Sequence, residues 1–110
     1  EVARTPAEYA ALWAQHRTVN PPPAAPVVDF DTEIVVAVFI GTRVASGFGA
    51  EIVAVDPQGT GADVTWNETV PGAGCPPGLP VVTHPYVFAA ITRVDGSITF
   101  SGGIRTYTCP

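Results

Sequence analysis

Two cysteines, two histidines and a short run of alternating carboxylates are the side chains here whose types could do chemistry. Nucleophilic catalysis needs a serine or cysteine with a histidine base within reach. His16 falls at the end of a helical pattern, where an imidazole suits the helix C-terminus, and His84 precedes Pro85 at a turn. Neither is placed as a base. Asp29, Asp31 and Glu33 alternate as on a strand edge but lack the glycine-turn loop of a calcium site, so they read as a solvated face. Cys75 with His84 does not have the spacing of a zinc site. The expectation is a chain with no catalytic residue, no metal and no cofactor, hence not an enzyme.

Cys75 and Cys109 both lie among prolines and glycines, in Pro71-Gly72-Ala73-Gly74-Cys75-Pro76-Pro77 and Thr108-Cys109-Pro110. They read as one disulfide rather than two separate thiols. Closing that loop would contribute roughly 3–4 kcal/mol on the chain-entropy account. A disulfide implies an oxidising compartment, so the expected location is extracytoplasmic: secreted, periplasmic or on the cell surface. No signal peptide or membrane span is visible, and a start at Glu1 fits a mature or trimmed chain.

If the chain does no chemistry, its candidate function is binding. Residues 43–49 join two strand patterns, and the glycines Gly41, Gly47 and Gly49 let that connection visit positive φ and approach another surface. The stretch 71–85 has no period, and loops that long in small domains are usually functional or disulfide-pinned. Arg43, Ser46, Gly47, Phe48, Gly49, His84 and Tyr86 are therefore the candidate binding residues.

Around these loops the elements are legible. Thr5, Pro6 and Glu8 form an N-cap signal, and Tyr9, Leu12, Trp13 and His16 share one face, which predicts an amphipathic helix over 6–17. Residues 20–26 form a proline-rich connector. From 27 to 108 the period is two. Val35, Ala37 and Phe39 alternate with Val36, Val38 and Ile40, so the first long strand is apolar on both faces and central. Asp31 or Thr32 should begin a side-chain-capped turn before it, and Asp56-Pro57-Gln58-Gly59 should end the next strand. Val64, Trp66 and Glu68 then fall on one face of its hairpin partner. Asp95-Gly96 reads as a two-residue hairpin, and Gly102-Gly103 separates a last strand from a short edge strand. The fold class is mainly β: an antiparallel β-sandwich or curved sheet of about five to seven strands, with the helix packed on it. At 110 residues it is a single domain.

Composition narrows the partners. The net charge of −5 combines ten carboxylates with five arginines and no lysine. Phosphate neutralisation needs clustered cations, so nucleic acid and anionic membrane surfaces are disfavoured and a protein partner is favoured. The oligomeric state is not readable from the chain.

Several segments, in order, carry a resemblance: Val28-Asp29-Phe30-Asp31, Phe39-Ile40-Gly41-Thr42-Arg43 leading to Ser46-Gly47-Phe48, Val70-Pro71-Gly72-Ala73-Gly74-Cys75, Thr83-His84-Pro85-Tyr86, and Arg93-Val94-Asp95-Gly96-Ser97-Ile98-Thr99-Phe100. Over residues 28–100 the chain resembles the C-terminal domain family of PrcB, a subunit of a bacterial surface protease complex. The resemblance implies an exported accessory domain that associates with, stabilises or modulates a protease. The 43–49 turn is also similar to the loop of chagasin-type cysteine-protease inhibitors, which implies a direct inhibitor as the alternative. A structural cell-surface domain unrelated to proteases is the other.

Overall fold

The computed structural model describes residues 1–15 and 25–109. His16, the last residues of the expected helix and most of the proline-rich connector lie outside the described residues.

The chain begins with β1 (Val2–Ala3), continues into α1 (Pro6–Gln15) and then forms β2 (Glu33–Phe39). Thr5 caps α1 as its sequence signals: its hydroxyl accepts the Glu8 N–H at 3.2 Å, while the Glu8 carboxylate reaches back to the Arg4 N–H at 2.8 Å. Tyr9 and Leu12 are the buried residues of α1. They join Ala3, Val35 and Ala37 in one core, with Trp13, Phe30, Phe39 and Phe88 packed around it. The Trp13 and Phe88 rings meet edge-on at 5.3 Å. A helix of ten residues is marginal in water, so this docking face is what stabilises it.

Ahead of β2 the cap is Asp29, not the expected Asp31 or Thr32. Asp29 Oδ1 accepts the Asp31 N–H at 3.0 Å, and the Asp29 carbonyl accepts from Thr32 and Glu33. The apolar run of β2 is buried on both faces, from Ile34 at 0 % exposure through Ala37 at 0 %. Val35 and Ala37 sit under α1, and by strand alternation Ile34, Val36 and Val38 face the other way, toward a second sheet. Each fully buried Ile or Val contributes about 1.5–3 kcal/mol.

After β2 come β3 (Gly49–Gln58), β4 (Gly61–Pro71), β5 (Tyr86–Thr92) and β6 (Ile98–Tyr107). One sheet has the order β1-β2-β5 and the other β3-β4-β6. The result is a two-sheet, mainly β domain with its one described helix on the outer face of the first sheet. Within the antiparallel plan, β4 and β6 run parallel, from Ala62 opposite Ile98 to Pro71 opposite Tyr107.

That parallel pair explains two departures from the sequence reading. Asp95-Gly96 is no hairpin, because the strands on either side of it belong to different sheets. It is a crossover, held by Arg4, whose guanidinium donates to the Val94 and Gly96 carbonyls at 2.6 Å each. Gly102-Gly103 does not break β6 either. A Cβ on Gly102 would run into the Trp66 indole, so the glycine is there for close packing beneath a ring rather than for a turn. Likewise β3 continues through Pro57 to Gln58, and its register slips at Val53 as a bulge.

Candidate functional site

Chain direction gathers the connections at two ends of the sandwich. Residues 40–48 lead from the end of β2 to the start of β3, residues 72–85 from the end of β4 to the start of β5, and β6 finishes beside them. These three segments form one rim.

The rim is tied together mostly by backbone. Ile40 donates to the Pro85 carbonyl at 3.0 Å, and Arg43 and Thr83 exchange both backbone bonds at 2.8 Å. Thr83 Oγ1 donates to the Ala45 carbonyl at 3.1 Å. Ser46 donates its N–H to Leu79 at 3.0 Å and accepts the Leu79 N–H on its hydroxyl at 2.8 Å. From β6, the Tyr107 hydroxyl donates to the Gly47 carbonyl at 2.7 Å, and the Tyr107 carbonyl accepts from Gly72 at 2.9 Å. The Cys75–Cys109 disulfide closes the set. Gly41 and Gly47 take positive φ, 95° and 100°, as the turn requires, whereas Gly49 lies inside β3.

Of the residues singled out by sequence, Arg43, Ser46, Gly47 and His84 come together at the rim. His84 Nδ1 lies 3.5 Å from Thr42 Oγ1 on the exposed side. Phe48 is half-buried behind them, and Tyr86 starts β5, its ring 5.8 Å from Phe88. Arg43 roots the rim in the sandwich: Nε and Nη2 donate to the two oxygens of Glu68 at 2.6 and 2.8 Å, and Nη1 donates to the Thr42 carbonyl at 2.9 Å. Glu68 is only 8 % exposed, and the Arg43 hydrogen bonds hold its carboxyl below the ordinary 4.5 despite the opposing effect of burial. Glu68 is a residue that the sequence reading left unused. Its signal was a carboxylate on the same strand face as Val64 and Trp66, which calls for a buried cation.

The outer surface of the rim is apolar. Val44 is 79 % exposed, Leu79 67 %, Val82 65 % and Val81 46 %. Between them, residues 40–49 and 71–86 hold one formal charge, Arg43, and it is spent on Glu68. The carboxylates Asp31, Glu33, Asp56, Asp63 and Asp95 lie at the far end, where β2, β4 and β6 start and β3 and β5 finish. Behind the rim a cleft of about 420 Å³ opens between the sheets, lined by Phe39, Ile40, Arg43, Trp66, Glu68 and residues 102–104. Among the described residues no three His, Cys, Asp or Glu side chains converge as a metal site would require.

The family model for the PrcB C-terminal domain matches residues 34–92. The chain belongs to the PrcB C-terminal family. The match spans more than half of the 110 residues, from β2 through β5, and so includes both connections of the rim. No curated protein and no solved structure matches the chain. In this PrcB-type domain the family segment therefore contains Arg43, Glu68 and the exposed Val44 and Leu79, while β6 and Cys109 lie beyond it.

Proposed function

We propose that this domain is an extracytoplasmic, non-enzymatic binding module, an accessory subunit that stabilises or modulates a protease complex through the neutral rim of residues 40–48 and 71–85. The observation that carries the reading is the combination of exposed apolar side chains with a cross-linked backbone. Val44, Leu79 and Val82 are each more than 60 % exposed, on loops held to one another by hydrogen bonds and a disulfide. Apolar side chains presented on pre-ordered backbone are what protein interfaces select, because little entropy remains to be lost on docking. The family supports a protease-complex setting. The disulfide supports export, since such bonds persist in oxidising compartments, and no described helix is long and apolar enough to cross a membrane.

The test is capture from the native host with the tagged chain, beside a Val44→Asp/Leu79→Asp variant. A protease should be recovered with the first and lost with the second. Recovery without any protease, or equal recovery by both, rejects the reading. Adding the purified domain to the captured protease then separates modulation from inhibition, because an accessory subunit preserves or raises activity where an inhibitor abolishes it.

A further inference from the structure

The strand β6 is an edge over its full length: it pairs with β4 on one side, and no described strand pairs with the other. Edges of this kind template pairing with another chain, and proteins usually blunt them with proline, lysine, bulges or shortness. The remaining edges here are blunted or covered. β1 is two residues long, β3 carries the Val53 bulge and Pro57, and β5 packs beside β3. β6 runs for ten residues with no proline, no lysine and no slip in its ladder.

The direction of its free groups follows from the β4 ladder. The Ser97 and Tyr107 carbonyls accept from Ala62 and Gly72, so the odd-numbered residues of β6 bond inward. The even-numbered ones, Phe100, Gly102, Ile104 and Thr106, therefore aim their N–H and C=O outward.

We propose that β6 is the contact of a symmetric dimer, in which two copies of this chain pair β6 antiparallel about a two-fold axis at Gly103 and join their β3-β4-β6 sheets into one. Two features select a second copy over an unrelated strand. The polar groups are self-complementary: this register puts Arg105 opposite Ser101 of the second copy, and because Arg105 spends Nε and Nη2 on its own Glu51, at 2.7 and 3.1 Å, its Nη1 is left to donate to the Ser101 hydroxyl. The shapes are self-complementary as well. Ile104, 70 % exposed beside the cleft, falls opposite Gly102 of the second copy, where the missing Cβ leaves the Trp66 indole as the apolar surface it packs on. The partner rims remain at the outer surface, so dimer and protease partner need not compete. A single-strand seam is a small interface, so the dimer is expected to be a weak one whose population depends on concentration.

Sedimentation of the full chain from low-micromolar to millimolar concentration tests this. The expected result is a monomer–dimer equilibrium that Thr106→Pro weakens roughly tenfold or more, because the outward N–H is removed. Thr106→Ala should leave it intact, and the Thr106→Pro monomer should keep the wild-type circular dichroism. A monomer at all concentrations overturns the proposal. So does a dimer indifferent to Thr106→Pro, or one lost instead through Val44→Asp, which would locate the contact at the rim.

Discussion

Arg43 holds both oxygens of Glu68, at 2.6 and 2.8 Å, across 25 residues of sequence, and in doing so joins the connection after β2 to the middle of the second sheet. Removing the cation strands a carboxylate that is 8 % exposed. Arg43→Met should lower the melting temperature by about 5–10 °C, whereas Arg43→Met/Glu68→Leu should recover most of the loss. Arg43→Lys should fall between them, because an ammonium cannot make the two-point contact. Thermal melts of the four proteins decide this, and equal losses in the single and double variants would show that packing by Arg43, not the pair, matters.

The same pair sets an acid limb. The Arg43 hydrogen bonds lower the Glu68 pKa in the folded state, and those of Arg105 lower that of Glu51. A depressed folded pKa means that the stabilisation is complete above the ordinary carboxylate value and is lost as pH falls through the lowered one. Denaturant unfolding from about pH 6 down to about pH 2 should show stability falling below the ordinary carboxylate range. The fall should be shallower for Glu68→Gln, and identical slopes would remove Glu68 from the account.

The disulfide should matter thermodynamically and locally. Cys75→Ala/Cys109→Ala is expected to cost about 3–4 kcal/mol, given the sequence separation of 34 between the two cysteines. Hydrogen exchange should speed up most in residues 72–85 and at the end of β6. Uniform acceleration through α1 and β2 would mean that the bridge acts on the whole fold and not on the rim.

Tyr107→Phe removes the hydroxyl that β6 donates to Gly47, at 2.7 Å. The bond is solvent-exposed, so the expected stability cost is at the low end of about 0.5–1.5 kcal/mol. The informative readout is the amide exchange of residues 45–48, which should quicken several-fold while β2 amides stay protected.

Gly102→Ala places a methyl so close to the Trp66 indole that the ring or the strand must shift. A cost of about 1–3 kcal/mol and a shifted Trp fluorescence maximum are expected. The neighbouring change Ser101→Ala, on the opposite face of β6, is expected to leave that maximum unchanged.

Local signals carried much of this fold. Thr5 with Glu8 marked the helix start, and the two-faced apolar run of β2 marked a central strand, because both depend on neighbours in sequence. What the sequence did not disclose was pairing at a distance. Asp95-Gly96 has the composition of a hairpin, yet its flanking strands join different sheets, a choice made by the parallel β4–β6 ladder and by Arg4. The two loops of the candidate site were visible as glycine- and proline-rich segments. Their union was not, since the bonds of Arg43 to Thr83 and of Ser46 to Leu79 are mostly backbone bonds with no residue code. Glu68 was nearer to legible, as a charge standing on an apolar face.

The Cys75–Cys109 ring encloses one strand of each sheet, β5 and β6. Under mechanical load applied at the two ends of the chain, tension leaves through Cys109 directly to Cys75 and bypasses both strands. Only the stretch before Cys75 can be drawn out, and the segment behind the bridge, with its sequence separation of 34, stays hidden, shortening the extension on unfolding by about 110–120 Å until the sulfurs are reduced. A domain wired in this way can be stretched while the segment behind its bridge stays out of the line of force.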